Sequence, residues 1–293
     1  MRPAHGWLAA AVLGLIFLGN QAAAAPHRVV STFLCTDEYV FRLLPRERIA
    51  ALSFEATDRR PVVSTIADAA VGIPAIRPSA ETVLRFDPDL VVMYSGTMPS
   101  LHAQLARAGV AVLDVPWAAS LADVRRITTM LGDKLGARAR AAAMLSQMDR
   151  AIARASAQKP SVRTLIYEPN GYATAGGVTD EIMTLSGLED VAPELKPTRT
   201  DTLAVESVIA RAPELLILSG ERATPNSRAD LVQHHPALAA VKSHVAWTKL
   251  TPLLCPGPWS LDAAATFTAL GLETRSPSPP RSGGEGRVRG RLP

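Results

Sequence analysis

The sequence predicts an α/β protein whose chain forms two similar lobes with mainly parallel sheets, joined by one long helix. The first sign is a repeat: residues 79–96 recur later in the chain, so that Glu81 aligns with Glu206 and Pro88 with Pro213. The second sign is the apolar run after each proline, LVVMY and then LLILS, because a run without polar alternation is typical of a strand covered on both faces. The third sign is a stretch between the copies in which apolar residues keep helical spacing.

The repeat has an alternative explanation, since helix–proline–strand units arise by chance in many α/β proteins. Each proline ends its helix because it disfavours the helical conformation at the residue before it. The strand pattern does not require the two matched glutamates, so we favour two lobes of similar design. With 293 residues the chain is long enough for two domains.

The net charge of +4 comes from the ends of the chain. Of 31 basic residues, Arg2 and five arginines in 274–293 lie at the ends, which leaves 25; of 27 acidic residues only Glu285 lies there, which leaves 26. The central part is therefore close to neutral, and it carries no basic stripe with interleaved aromatic residues. Nucleic acid is not an expected partner.

Residues 1–25 read as a secretory signal peptide. Arg2 precedes an apolar run at 7–18, and the alanines at 22–25 offer cleavage sites. An uncleaved membrane anchor is the alternative, although the run is short for a membrane span. No cysteine stands near the cleavage region, so a lipid anchor is not indicated. Export predicts an oxidising compartment, where Cys35 and Cys255 either pair or remain two separate buried thiols.

The first lobe is predicted to cover residues 26–118. Thr36, Asp37 and Glu38 are expected to begin its first helix, because Thr or Asp can cap the free amides of a first turn. Gly109 is expected to end a helix over 98–108. The remaining predicted elements are strands at 28–32, 49–53, 90–93 and 110–115, with a charged loop at 54–61.

A long helix is predicted within residues 119–159, where Gly132 and Gly136 are the main interruptions and 137–157 is almost continuous helix former. The second lobe is predicted over 160–273 and opens, like the first, with a strand and then Thr-Asp-Glu at 179–181. Its predicted strands lie at 162–167, 215–218 and 245–250, and its helices at 206–211, 228–240 and 259–270. Residues 274–293 are rich in Pro, Gly, Ser and Arg and are predicted to be disordered.

No catalytic signature is present in the sequence. A G-x-S-x-G nucleophile elbow, a G-x-x-x-x-G-K-[ST] phosphate loop and a G-x-G-x-x-G fingerprint are all missing. The cysteines do not stand at metal-ligand spacing, and the histidines are scattered apart from His234-His235, which we interpret as a surface pair. We therefore expect no enzyme activity, no catalytic residue and no bound cofactor or metal.

Three stretches carry a resemblance to a known family: the helix–turn–strand unit from Ser79-Ala80-Glu81 through Asp87-Pro88-Asp89 to residue 92, the second-lobe opening at 167–187, and the turn at 255–259. Together they resemble the periplasmic substrate-binding proteins of ABC importers for iron–siderophore complexes and cobalamin. The resemblance runs from about residue 28 to 270. It implies the class III periplasmic binding protein fold, with two Rossmann-like lobes and a long backbone helix. Two departures from the family are present: Arg85-Phe86-Asp87 replaces the more usual Leu-Lys before Pro-Asp, and the final helix is shorter than usual.

The resemblance implies a monomer that binds an iron chelate or a corrinoid and delivers it to an ABC permease. Glu81 and Glu206 match the glutamates that meet permease arginines, although ordinary solvated helix residues are the alternative. A ligand would bind at the loops after the carboxyl ends of the strands. The expected contacts are Cys35, Thr36, Phe54, Tyr94, Ser95, Trp117, Tyr172, Arg199 and Trp259, with Arg59 and Arg60 as weaker candidates.

Two other functions remain open. One is a zinc or manganese transport protein of similar architecture, and the other is a secreted α/β enzyme. The sequence does not identify the ligand.

Overall fold

The computed structural model describes residues 25–60, 63–156, 161–173, 175–195, 202–220, 222, 227–239 and 241–276. The predicted signal peptide, except its last residue, lies outside the described residues. So do Arg199 and residues 277–293 of the predicted tail.

The first lobe is built on a parallel sheet of five strands with the order β3-β2-β1-β4-β5. The strands are β1 (Val29–Ser31), β2 (Ile49–Ser53), β3 (Ala75–Ile76), β4 (Leu90–Tyr94) and β5 (Val112–Val115). Its helices are α1 (Leu34–Leu43), α2 (Ala80–Leu84) and α3 (Pro99–Arg107). The predicted strands are found within one or two residues, whereas the two-residue edge strand β3 was not predicted.

The second lobe repeats this plan with a parallel sheet of four strands in the order β7-β6-β8-β9. The strands are β6 (Val162–Tyr167), β7 (Leu188–Asp190), β8 (Leu215–Ser219) and β9 (His244–Thr248). Its helices are α6 (Gly177–Leu185), α7 (Val205–Arg211), α8 (Pro236–Ala239), α9 (Thr251–Leu254) and α10 (Asp262–Arg275). Strands β6, β7, β8 and β9 thus take the places of β1, β2, β4 and β5, which confirms the α/β fold with two similar lobes.

The segment between the lobes contains two helices, α4 (Leu121–Lys134) and α5 (Arg138–Ala155). The long helix predicted near 137–157 is α5, but the prediction of one helix over 119–159 is corrected. Gly136 has φ 62° in the turn between them. A Cβ at Gly132 would lie 2.5 Å from the Cβ of Ala141, so the absence of a side chain at this position lets the two helices pack closely.

The matched acidic residues after each proline have a structural role at the start of the central strands. The Asp89 carboxylate accepts hydrogen bonds from the amides of His27 (2.6 Å) and Arg28 (3.0 Å), next to β1. The Glu214 carboxylate accepts one from the amide of Arg163 in β6, at 2.9 Å. The residues before the prolines also match, since Asp87 (φ 44°) and Ala212 (φ 38°) are both left-handed.

The start of α1 differs from its prediction. The helix begins at Leu34 without a side-chain cap, so Asp37 lies inside the helix and is fully buried. Its carboxylate accepts from the amide of Ser53 at 3.1 Å and from the Ser53 hydroxyl. Burial raises the pKa of Asp37 to about 7. Glu38 is also buried; it accepts from Thr65 and pairs with Arg42.

Two helix predictions in the second lobe are also corrected. The helix predicted over 228–240 is a short 3-10 turn followed by α8, because Pro236 interrupts the backbone hydrogen bonding. The last helix is preceded by a 3-10 turn at Pro258–Leu261 and then continues to Arg275. Residues 274 and 275, predicted to belong to a disordered tail, are therefore helical.

One buried apolar cluster runs through both lobes. It includes Val29 and Val92 of the first sheet, Ile166 of the second sheet, Met148 of α5 and Phe267 of α10. Each sheet also has a smaller cluster on its other face, packed by its own helices. The connecting helices therefore do not act as a simple tether, since they are part of the main core. None of the helices in the described ranges has the length and apolar character of a membrane span.

Candidate functional site

A cleft of about 500 Å³ opens between the lobes. Trp117 and Ala118, which follow β5, line it from the first lobe. The second lobe contributes the loop after β6, the start of α6, the end of β8 and the segment around α9. These second-lobe lining residues are Glu168, Pro169, residues 175–179, Ser219, Leu250, Leu253, Leu254 and Pro256. The position agrees with the general rule that open α/β sheets bind ligands outside the carboxyl ends of their strands.

The first-lobe wall carries an aromatic cluster. The rings of Phe33 and Tyr94 are stacked with centroids 5.2 Å apart, and Trp117 meets Tyr94 edge to face at 5.6 Å. Tyr94 is half-buried, and burial raises the pKa of its hydroxyl. Trp117 is 55% exposed at the cleft wall, which leaves the face of its ring open to a ligand.

The second-lobe wall is made mostly of small and neutral residues. Gly176 and Gly177 have φ of 77° and 74°, a conformation that glycine adopts without strain. Thr179 and Ser219 supply hydroxyl groups to the lining. Glu168 adds a carboxyl group, and burial raises its pKa. The wall therefore combines a few hydrogen-bonding groups with small residues and with the apolar side chains of Leu250, Leu253 and Leu254.

Behind the cleft the two lobes are joined covalently. Cys35 of α1 and Cys255 form a disulfide with a Cα–Cα distance of 4.9 Å and a sequence separation of 220. The Tyr39 hydroxyl donates to the Pro256 carbonyl at 3.4 Å, and its ring meets Trp259 edge to face at 4.7 Å. The Arg42 guanidinium lies 4.3 Å from the centroid of the Trp259 ring. These contacts fix the inner end of the cleft.

Three predicted ligand contacts have side chains that are buried and used in packing. Cys35 is 5% exposed and belongs to the disulfide. Thr36 is fully buried and bonds Ser31 and the Phe33 carbonyl, both at 2.8 Å. Trp259 is 7% exposed beneath Tyr39 and Arg42. All three lie in or next to the contact between lobes that closes the back of the cleft.

The other predicted contacts are divided between the cleft and its surroundings. Trp117 lines the cleft, and Tyr94 supports it. Ser95 is exposed but lines a separate hollow of the first lobe with His102 and Asp114. Phe54 is covered by the Arg77 guanidinium at 4.1 Å from its centroid. Tyr172 is exposed outside the cleft lining, and Arg199 lies outside the described residues.

The arginines considered for an anionic ligand already have acidic partners. Arg59 pairs with Asp68 at 2.7 Å, and Arg60 pairs with Asp58 at 2.5 Å. Both arginines are exposed on the first lobe. In the described part of the chain, no cluster of three or more His, Cys, Asp or Glu side chains is arranged to hold a metal ion.

Sequence reasoning missed Glu168, Ser219 and the start of α6 as parts of the cleft. The repeat contained a signal for Ser219, because the same offset that aligns Glu81 with Glu206 aligns Tyr94 with Ser219. Glu168 directly follows β6, so the expectation that ligands bind at loops after the carboxyl ends of the strands also pointed to it. The sign for the start of α6 was the Thr-Asp-Glu at 179–181, which repeats the opening of the first lobe.

Glu81 and Glu206 lie in the first turns of α2 and α7, in equivalent places of the two lobes. Both side chains are exposed. Glu81 forms an ion pair with Arg85 one turn later in α2. The repeat seen in the sequence thus corresponds to two similarly placed acidic groups.

Comparison with known proteins gives a family and a set of similar structures. A family model described as periplasmic binding protein matches residues 29–245. A comparison with curated protein sequences gave no match.

Several solved structures resemble the chain. The periplasmic heme-binding protein RhuT from Roseiflexus sp. RS-1, in apo form, has 20% identity and a TM-score of 0.67, covering 85% of this chain and 98% of that chain. The periplasmic vitamin B12 binding protein BtuF of Vibrio cholerae has 16% identity and a TM-score of 0.61, covering 86% and 99%. An ABC-type Fe3+-hydroxamate transport system protein from Saccharomonospora viridis has 18% identity and a TM-score of 0.62, covering 84% and 93%.

These structures share the class III periplasmic binding protein fold that the two lobes and the long helix α5 indicate. The family match covers both sheets, from β1 into β9. The chain therefore belongs to the periplasmic binding protein family.

Proposed function

We propose that this protein captures a metal complex, either an iron–siderophore complex, heme or a corrinoid, and delivers it to the permease of an ABC importer. The observation that carries the proposal is the inter-lobe cleft with the exposed Trp117 at its wall. A rigid aromatic ring supplies contact area for a large ligand and has few rotors to immobilise. The names of the similar structures, which include heme, vitamin B12 and Fe3+-hydroxamate, support the same class of ligand.

Calorimetry with the purified protein tests this proposal. Ferrichrome, heme and cyanocobalamin are titrated separately, and the ligand is recovered afterwards to check that it is chemically unchanged. We expect one of them to bind, and we expect Trp117→Ala to weaken binding about tenfold or more, because an aromatic contact of this size contributes about 1.5–3 kcal/mol.

Leu231→Ala is the matched control for this experiment. Leu231 is 56% exposed but lies outside the cleft, so its removal leaves the affinity unchanged if the cleft is the site. Equal losses in both variants would contradict the cleft as the binding site. Turnover of the ligand would favour the secreted enzyme instead, and zinc or manganese retained after native purification would favour the metal-binding alternative.

Docking to the permease is proposed to use Glu81 and Glu206. Their equivalent positions suit a partner that presents two similar surfaces, and exposed charges of this kind steer association and fix its register. Neither residue lines the cleft, so docking and ligand binding are separable.

The docking proposal is tested with Glu81→Ala combined with Glu206→Ala. We expect ligand affinity to stay the same and uptake through the permease to fall about tenfold or more. The control is Glu47→Ala combined with Glu273→Ala, which removes two other exposed acidic groups. Wild-type uptake by the variant that combines Glu81→Ala with Glu206→Ala would contradict the docking proposal.

Export through a cleavable signal peptide at residues 1–25 is part of the same proposal. It places the protein in the periplasm, where the family name locates its members. N-terminal sequencing of the secreted protein checks it, and a mature chain that still begins at Met1 would contradict it.

A further inference from the structure

Glu168 lines the cleft at the end of an inner strand of the second sheet. It directly follows β6, which lies between β7 and β8 in the second sheet, and its backbone amide donates to the Tyr172 carbonyl at 2.8 Å. This bond helps to hold the loop that turns away from the strand. The side chain of Glu168 lines the cleft across from the first-lobe residue Trp117.

The carboxyl group of Glu168 is available to a ligand. Among the described residues, no hydrogen bond or ion pair involves its side chain. The rest of the described lining is made of apolar, glycine, threonine and serine residues, so Glu168 is the ionisable group in that part of the cleft. A ligand that fills the cleft therefore meets this carboxyl group.

Because the carboxyl group is partly buried, the affinity of the cleft is expected to depend on the charge of the ligand. Partial desolvation raises its pKa, because the charged form loses part of its hydration. A ligand that brings a positive charge or hydrogen-bond donors replaces the lost hydration. A ligand that brings carboxylate or phenolate groups adds repulsion to the cost of burial.

We propose that Glu168 is a specificity-determining residue that favours metal complexes presenting a positive charge or hydrogen-bond donors over anionic complexes of similar size. This inference rests on the proposed function, since it names the ligand class that the same cleft accepts. The property that decides specificity is then the charge on the edge of the ligand that faces the second lobe.

Matched pairs of ligands test the inference. Ferrioxamine B, a ferric hydroxamate complex with a free ammonium group, is compared with its N-acetylated form, which lacks that charge. Heme dimethyl ester is compared with heme, and aquocobalamin with cyanocobalamin. In the pair that binds, we expect the less negative member to bind about tenfold tighter, because a partly buried charge contact is worth more than an exposed one.

The Glu168→Gln variant shows whether this residue is responsible. We expect the variant to reduce the ratio within the pair to about twofold or less, while the affinity for the more negative member stays the same or rises. Glu189→Gln is the matched control, because it removes an exposed carboxylate of β7 from the same lobe outside the cleft and is expected to leave the ratio unchanged.

The outcomes separate this inference from the proposed function. If neither ferrichrome nor any of the six complexes binds to the wild-type protein, the proposed function fails and the inference fails with it. If ferrichrome alone binds, a neutral hydroxamate complex is preferred to the cationic ferrioxamine B, and the inference alone fails. If a complex binds but Glu168→Gln leaves the ratio unchanged, the inference alone fails. A wild-type preference for the more negative member of a pair also overturns it, and this result does not depend on the folding of any variant.

Discussion

Removing the disulfide between Cys35 and Cys255 is expected to lower the free energy of unfolding by up to about 5 kcal/mol. The bond joins residues separated by 220 positions, and a cross-link stabilises a protein mainly by restricting its unfolded chain. The chain-entropy relation for a loop of this length gives about 5 kcal/mol at 25 °C. The contacts of Tyr39 with Pro256 and Trp259 lie beside the bond and remain after its removal, so they do not add to this figure.

Urea denaturation followed by far-UV circular dichroism measures the effect. Three samples are compared: the oxidised protein, the protein treated with dithiothreitol, and Cys35→Ala combined with Cys255→Ala. The second and third samples are expected to unfold at similar, lower urea concentrations, and their steeper transitions would reflect a more expanded unfolded chain. Dithiothreitol is expected to leave the double variant unchanged. An oxidised sample that titrates as two free thiols, or whose stability does not respond to dithiothreitol, would refute the reasoning.

Three further predictions concern stability. Because burial raises the pKa of Asp37 from 3.8 to about 7, the unfolded chain binds fewer protons than the folded chain in that range and stability falls as the pH rises through it. Between about pH 5 and about pH 7.5 the free energy of unfolding is expected to fall by about 2 kcal/mol less in Asp37→Asn than in the wild type. Parallel plots of unfolding free energy against pH for the variant and the wild type would contradict this. Gly132→Ala is expected to cost about 1–3 kcal/mol through overlap with Ala141. Adding Ala141→Gly is expected to restore the melting temperature, and no recovery would argue against a local clash. Asp89→Ala is expected to cost about 1–2 kcal/mol, since it leaves the amides of His27 and Arg28 without their acceptor; a melting temperature equal to that of wild type would show that water replaces it.

The repeat was the part of the sequence from which the fold could be predicted. Strands β4 and β8 are unbroken apolar runs after a proline, and local chemistry alone identifies them. Strands β3 and β7 have only two and three residues, and they exist because a neighbouring strand offers hydrogen bonds, which no short pattern reveals. The break between α4 and α5 was marked by Gly132 and Gly136, but a glycine inside a helical pattern does not say how the chain will turn.

The candidate site was harder to predict than the fold. Trp117 was found because an aromatic residue directly follows a predicted strand. Thr36 and Trp259 also lie near strand or loop ends, but Thr36 turns into the first lobe to bond Ser31 and the Phe33 carbonyl. The Trp259 ring packs against Tyr39 and Arg42 in the contact between the lobes. Which way a side chain turns depends on tertiary packing, and the pairing of Cys35 with Cys255 depends on the same packing. Glu168 stood beside a correctly predicted strand and was missed because the next loop carried a more conspicuous tyrosine.

The apolar cluster that includes Val29, Ile166, Met148 and Phe267 has a consequence for how the molecule can be divided. A fragment ending after α5 would expose to solvent the apolar face of α5 that packs against the second lobe. The complementary fragment would lack α5, against which α10 packs. We therefore expect that neither half folds on its own, despite the symmetry of their sheets. Heating is therefore expected to melt the whole protein in a single cooperative transition, and gene fusions or truncations placed between β5 and β6 are expected to yield aggregates.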